Sequence, residues 1–264
     1  MRIDITAVSK CGLGILIIAI LLASGGCQDD EPADLVGHTK KLTEVVTDSI
    51  HFKISYHENG KVSKVEWLTE SEVGVTMGNQ YNSDGRVTEM RYSERDFDDW
   101  IERFEYSEKD LEVAEIGFLD IMSWEPFYEY TLESEPEDEV RKYRLELTSG
   151  SWRAYRLWHD KEGSLTKSEV SGYSSSSIYH ERSMLYDSYK NPFYGICFFS
   201  PLDINGINSN RHNLLEVDVN WHGKSFRFEY EYSYKDEYPV SVVMTKYNSN
   251  GVLIKTDTTQ FIYD

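Results

Sequence analysis

Between Phe226 and Tyr234 the chain alternates without a lapse. Phe226, Phe228, Tyr230, Tyr232 and Tyr234 fall on one face; Arg227, Glu229, Glu231 and Ser233 fall on the other. Period two with one charged face is the pattern of an antiparallel strand buried on one side. Tyr128, Tyr130 and Leu132 alternate with Glu129, Thr131 and Glu133 in the same way, and Trp100, Glu102, Phe104 and Tyr106 nearly do, with Glu102 as the lapse. Continued along the chain, this reading predicts about 16 strands joined mostly by short turns, and no segment has a helical period. The stretch from Asn191 to Asn213 breaks the regularity with Pro192, Gly195, Pro201 and Gly206. It is expected to plug the sheet or to be a loop with a task, with a short helical turn near Phe193–Phe199. The run Ser174–Ser177 reads as a turn.

Three turns share one spelling: Tyr56-His-Glu-Asn-Gly60-Lys-Val62, Tyr81-Asn-Ser-Asp-Gly85-Arg-Val87 and Tyr247-Asn-Ser-Asn-Gly251-Val-Leu253. Tyr106-Ser-Glu-Lys-Asp110 and Tyr232-Ser-Tyr-Lys-Asp236 are weaker copies with aspartate in place of glycine. Tyr56, Tyr81 and Tyr106 are spaced 25 residues apart, which marks a repeated supersecondary unit. Asn-Gly and Asp-Gly between strands signal hairpins whose turns need positive φ. After each turn the hydrophobic phase shifts, as between Val62 and the pair Val65 and Trp67, which predicts a bulge just past the turn. The fold expected is all-β: an antiparallel meander of hairpin repeats forming a large curved sheet, a barrel-like domain or a sandwich.

The N-terminus reads differently. Arg2 and Lys10 precede an apolar run from Gly12 to Leu22, which ends through Ala23-Ser24-Gly25-Gly26 at Cys27. A charged start, a short apolar run and small residues make a secretory signal; the run is shorter than the ~20 apolar residues of a spanning helix. A cysteine directly after the small residues resembles the lipobox of bacterial lipoproteins, which implies lipidation at Cys27. Ser24 departs from the aliphatic residue commonest three places before that cysteine. Gln28-Asp29-Asp30-Glu31 is similar to the acidic export signal of Bacteroidota lipoproteins, which implies display on the outer leaflet of the outer membrane. Three regions follow: a signal peptide over 1–26, an acidic tether over 27–38 and a β-hairpin repeat domain over 39–264.

Charge and cysteines narrow the classes. The chain carries −19, and the signal segment holds Arg2, Lys10 and Asp4, so the mature protein stands at −19 − 1 = −20. Such a polyanion repels nucleic acid and anionic head groups, so nucleic acid is excluded as a partner and membrane attachment falls to the lipid. Cys11 leaves with the signal and Cys27 is lipidated, which leaves Cys197, among Ile196, Phe198 and Phe199, as a buried inert thiol. The hairpins resemble those of YD-type (RHS-like) repeat proteins and, more closely, a family of Bacteroidota surface lipoproteins. In that family Tyr-x-x-x-Gly-Lys-Val hairpins precede segments like Tyr186–Phe193 and Tyr232–Val240. The resemblance touches most of residues 40–264, except Glu133–Ser174, and carries over no catalytic residue.

The chemistry is sparse. Seven histidines lack zinc spacing, and no cysteine assists them. Registering Gly60, Gly85 or Gly163 on a calcium loop puts Ser55, Gln80 or Trp158 at the first ligand position, which excludes it. No metal or other cofactor is expected. Glu135–Glu139 reads as a solvated acidic turn, and carboxylate pairs such as Asp98-Asp99 arise by chance in so acidic a chain. Aromatics can stack on sugars, but most fall on the buried-face period; Trp67, Trp152, Trp158 and Trp221 are the candidate ligand contacts. The function expected is that of a non-enzymatic surface lipoprotein binding a glycan or protein ligand, or serving as an accessory. The alternative is an envelope carbohydrate hydrolase. A third reading, a transmembrane barrel, is permitted by strand number but disfavoured by tyrosines spread along the strands and by the lipid anchor.

Overall fold

The computed structural model describes residues 40–48, 50–69, 72–94, 99–106, 111–119, 124–137, 140–147, 152–172, 175–194 and 210–264. Cys27, the signal, the tether, Cys197 and the turn residues 107–110 and 138–139 therefore lie outside the described residues.

Sixteen strands follow one another: β1 (Leu42–Thr47), β2 (His51–Tyr56), β3 (Val62–Thr69), β4 (Glu72–Tyr81), β5 (Val87–Glu94), β6 (Asp99–Tyr106), β7 (Leu111–Leu119), β8 (Trp124–Glu137), β9 (Val140–Leu147), β10 (Trp152–His159), β11 (Leu165–Gly172), β12 (Ser175–Lys190), β13 (His212–Trp221), β14 (Lys224–Lys235), β15 (Tyr238–Asn248) and β16 (Leu253–Tyr263). Each pairs antiparallel with the next, and β1 pairs with β16 through Val45↔Phe261 and Val46↔Gln260, so the meander closes into a barrel. Of the shapes expected, the barrel is the one formed. Ser175–Ser177 opens β12 instead of making a turn, because Gly172↔Ser175 already belongs to the ladder.

Closure turns alternation into inside and outside. On β14, Phe228 and Tyr230 are buried and Phe226, Tyr232 and Tyr234 half-buried, while Arg227, Glu229 and Glu231 are exposed. A circular barrel of sixteen strands encloses a channel. Among the described side chains, inward ones form one connected core, from Val45 and Phe52 through Tyr155, Leu157 and Met184 to Phe228 and Met244. The outer face is laced by cross-strand ion pairs, among them Arg91–Asp99, Arg103–Glu89 at 3.3 Å and Lys167–Glu181 at 2.8 Å.

The repeat has a physical cause at one rim. Tyr81 Oη donates to the Val62 carbonyl at 2.7 Å and Tyr106 Oη to that of Val87 at 2.8 Å; Tyr56 does the same to Leu42 at 2.6 Å. Tyr186 to Leu165 at 2.5 Å and Tyr263 to Pro239 at 2.9 Å complete five such clasps. Val62 and Val87 each stand two places after a turn glycine, so the tyrosine of one repeat locks the valine of the repeat before it. The intervening cation sits over the same ring: Lys61 over Tyr81 and Arg86 over Tyr106, both at 5.4 Å. Each hydroxyl bond contributes on the order of 0.5–1.5 kcal/mol and each cation–ring contact about 0.5–1 kcal/mol. Burial raises the pKa of Tyr56, Tyr81 and Tyr263, so these hydroxyls stay donors.

The turns differ in detail from expectation. In the shared spelling only the glycine takes positive φ (+85° at Gly60, +86° at Gly85, +73° at Gly251); Asn59, Asp84 and Asn250 do not. Gly85 N donates to the Asn82 carbonyl at 3.0 Å, which makes a four-residue turn completed by a left-handed glycine. The Asn82 side chain holds it, its Oδ1 accepting from Asp84 N at 3.1 Å and Arg86 N at 2.9 Å. The expected bulge follows: Ser55 pairs with Lys64 but Tyr56 with Val62, so Ser63 is extra and both Val62 and Val65 turn inward, each at 0 % exposure. Asp236, read as a replaced glycine, instead shares a two-residue turn with Glu237, at φ +52° and +68°.

Of the irregular stretch after β12, residues 191–194 and 210–213 are described and lie at this rim; the rest, with most of the helical turn expected near Phe193–Phe199, lies outside the described residues. Asn191 Nδ2 donates to the Asn210 carbonyl at 2.9 Å, and Asn210 Oδ1 accepts from Leu165 N at 2.7 Å. Phe193 joins the core edge-on to Phe261, with centroids 5.8 Å apart.

Candidate functional site

The structure does not gather the four candidate tryptophans. Trp67 points inward and packs against the core, edge-on to Phe52 at 5.7 Å and to Tyr92 at 6.4 Å. It is half-buried there, in the strand phase of the buried Val65. Trp152 and Trp158 point outward from β10, opposite in phase to the buried Tyr155 and Leu157. They are six residues apart, so roughly 20 Å of strand separates them. Each is covered by a cation: Arg144 lies 5.3 Å from the Trp152 ring and Lys167 5.2 Å from that of Trp158. Trp221 ends β13 and is 48 % exposed.

Next to Trp221 in the chain, the outer wall of β12–β15 forms a depression of about 830 Å³. The strand register builds its floor in rows: Ser183 faces Asp218, Asp218 faces Arg227, and Arg227 faces Tyr247. A second row holds Glu181, Asn220 and Ser225, and Asn248, Ser249 and Gly251 close one edge. Arg227 donates from Nε to Asp218 Oδ1 at 3.0 Å and from Nη2 to Oδ2 at 3.4 Å. That bond, with the nearby carboxylates, raises the Arg227 pKa. Lys167 holds Glu181 at 2.8 Å. The side chains offered to a ligand are hydroxyls, amides, three carboxylates and one guanidinium, with the Tyr247 ring beside them. Such a set can hydrogen-bond a polyhydroxylated molecule from several sides and stack against one of its faces.

Tyr247 is the residue that sequence reading missed. It belongs to the third copy of the repeat, yet that copy lies at the rim opposite the clasps. There the phase of β15 is set by Val242 and Met244, both buried, so Tyr247 faces outward. Its neighbours Val252 and Leu253 are each 57 % exposed, whereas Val62 and Val87 are fully buried. The available signal was the phase itself: Tyr247 stands an odd number of places from Met244, while Tyr81 stands an even number from Met77. Among the described residues, no group of three or more His, Cys, Asp or Glu side chains could hold a metal ion.

No protein-family model matches the chain, and no curated protein matches it in sequence. Solved structures do match. A porin-like protein from Bacteroides vulgatus superposes with a TM-score of 0.51 at 12% identity, over 85% of this chain and 99% of its own. A porin-like protein from Bacteroides uniformis gives the same score and identity, over 85% of this chain and 95% of its own. At that identity the likeness is one of fold.

Proposed function

We propose that this chain is a lipid-anchored envelope protein whose barrel stands in water and binds a neutral glycan in the depression beside Tyr247. The observation that carries the reading is the polarity of the wall. A barrel that crosses a lipid bilayer turns an apolar band outward and a polar face inward, and each outward charge at mid-bilayer costs roughly 2–4 kcal/mol. This barrel turns charge outward, with Arg91, Asp99, Arg103, Glu89, Arg227 and Asp218 on the outer face, and its inward face carries the connected apolar core beside a few charges such as Lys255 and Asp257. The porin-like fold of the Bacteroides neighbours supports an envelope setting, and the residues before Cys27 support a lipid anchor there. The acidic run Asp29–Glu31 supports display on the cell surface.

Binding without cleavage is the reading that the depression favours: Asp218 is engaged by Arg227, and Glu181 by Lys167. The test uses the mature lipidated chain in mild detergent on a glycan array, followed by product analysis of each hit. We expect retention of neutral glycans, little response to salt, and loss of binding with Tyr247→Ala. A released sugar would overturn the binding reading in favour of a hydrolase, and a blank array would overturn the glycan in favour of a protein partner. Mass spectrometry of the mature N-terminus checks the anchor: a diacylated or triacylated Cys27 is expected, and an unmodified chain would refute it.

A further inference from the structure

Two of the cations on the inward face, Arg182 and Lys246, are not used by the outer depression. On β12 the inward phase runs His180, Arg182, Met184 and Tyr186, so Arg182 points into the barrel, half-buried. Its Nε donates to His180 Nε2 at 3.0 Å. That bond requires a neutral His180, and burial, helped by the charges of Arg182 and His222, lowers the His180 pKa to about 4. The histidine therefore does nothing to offset the guanidinium. Among the described residues Arg182 pairs with no carboxylate. The groups that face it are the phenols of Tyr155 and Tyr230, and burial brings its pKa down to about 10. Tyr230 Oη is itself buried without a hydrogen-bond partner among the described residues.

Lys246 approaches from the other side. Register places it opposite Phe228 on the inward face of β15, and its Nζ lies 4.5 Å from the Phe226 ring and 5.2 Å from that of Phe228. Among the described residues it too has no carboxylate; Asp257, one strand over, is taken by Lys255 at 2.6 Å. Burial, and then the charge of Lys255, lowers the Lys246 pKa. Arg182 and Lys246 thus stand on either side of β13 and β14, in the adjacent register rows of Phe226 and Phe228, on strands three spacings or about 14 Å apart. Two long side chains reaching inward from such backbones can meet on one small ligand. They lie toward the rim that bears the exposed Trp221 and His222, opposite the rim of Phe193.

Half-buried charge without a counter-ion is costly, and a fold that keeps two such cations over an aromatic floor has the elements of an anion site. We propose that this end of the lumen binds a small organic oxyanion. Its carboxylate or phosphate would take the Nη donors of Arg182, the Nζ of Lys246 and the Tyr230 hydroxyl, and its body would lie against Phe226 and Tyr155. A planar guanidinium accommodates either oxyanion with two parallel hydrogen bonds. Its polar groups, Arg182, Lys246 and Tyr230, lie in the inward phase and do not line the outer depression, although Phe226 borders both.

The test is calorimetric titration of the mature chain in mild detergent with glucuronate, glucose 6-phosphate and glucose. At least one of the two anions should bind, and the arm that binds tells carboxylate from phosphate. Arg182→Met should weaken that binding at least tenfold and Lys246→Met several-fold, while the thermal midpoint of each variant stays at or above that of wild type. Added anion should raise the midpoint of wild type but not that of Arg182→Met. Tyr247→Ala should leave anion binding in place, which separates this site from the glycan site. The proposal is overturned if neither anion binds, if Arg182→Met binds as tightly as wild type, or if Tyr247→Ala alone abolishes binding.

Discussion

The two rims of this barrel are built to opposite rules. At one rim, tyrosine hydroxyls on β2, β4, β6, β12 and β16 each bond a neighbouring backbone carbonyl, and Phe193 packs edge-on to Phe261. Even the carboxylate there is engaged: Asp187 accepts from Tyr234, from Asn213 N at 3.0 Å and from Tyr189 N at 2.9 Å. Toward the other rim Arg182 and Lys246 point inward without carboxylates among the described residues, and Trp221 is exposed. A closed barrel gains most of its stability from burial, and one rim suffices to hold the register. The other carries groups that cost stability, which is what the proposed recognition site would require.

If that division is real, substitutions at the two rims should differ in sign as well as size. The largest effect should come from Phe193: Phe193→Ala empties a buried aromatic site and is expected to cost about 3–5 kcal/mol, measured by chemical unfolding, with anion binding retained. A loss below about 1 kcal/mol would mean that Phe193 is an ornament on the core. Next comes Gly85→Val. At φ +86° a β-branched residue is strained, and its Cβ would meet the end of Lys61, whose Nζ donates to the Gly85 carbonyl at 2.6 Å. A loss of roughly 1–3 kcal/mol is expected, and an unchanged thermal midpoint would refute the turn geometry. Tyr81→Phe removes one clasp and keeps the ring, so it should cost about 1 kcal/mol. The same substitution at Tyr247, which faces outward, should cost less than half of that.

The smallest effect sharpens the comparison through pH. His180 has a folded pKa near 4 against 6.5 ordinarily, so the unfolded chain takes up its proton first as pH falls. The His180 contribution is intact above about pH 6.5 and is lost progressively down to about pH 4. Because the ring is only half-buried, solvent screening reduces the size of the change. The thermal midpoint of wild type should therefore fall more steeply between pH 6.5 and 4 than that of His180→Gln. Parallel curves would show that burial beside Arg182 does not hold the ring neutral.

Much of the fold was legible in the chain. The strands, the hairpin turns and the bulge after each turn were written in alternation, in glycine placement and in the phase shift between Val62 and Val65. The 25-residue period of Tyr56, Tyr81 and Tyr106 marked a repeat, but its cause was out of reach, because the carbonyl that each hydroxyl meets lies 14 to 24 residues earlier. The candidate site was legible only in part. Trp221 was rightly placed at the surface, whereas Trp67 shares the inward phase of Val65 and packs half-buried against the core. Arg182 and Lys246 gave no signal as single cations; they became a pair only when β12 and β15 were set three strands apart on one wall.

By itself, then, the sequence determined which residues alternate, where the chain turns and which side of each strand is apolar, since these depend on neighbours within a few positions. The tertiary structure decided whether the sheet would close, which apolar face would become the inside, and at which rim each copy of the repeat would fall. Those outcomes depend on the pairing of β1 with β16, residues more than 200 positions apart, and on a register in which one step exchanges core for solvent. That is why Tyr-Asn-Ser-Asp-Gly and Tyr-Asn-Ser-Asn-Gly, nearly the same words, make a clasp at Tyr81 and an exposed ring at Tyr247.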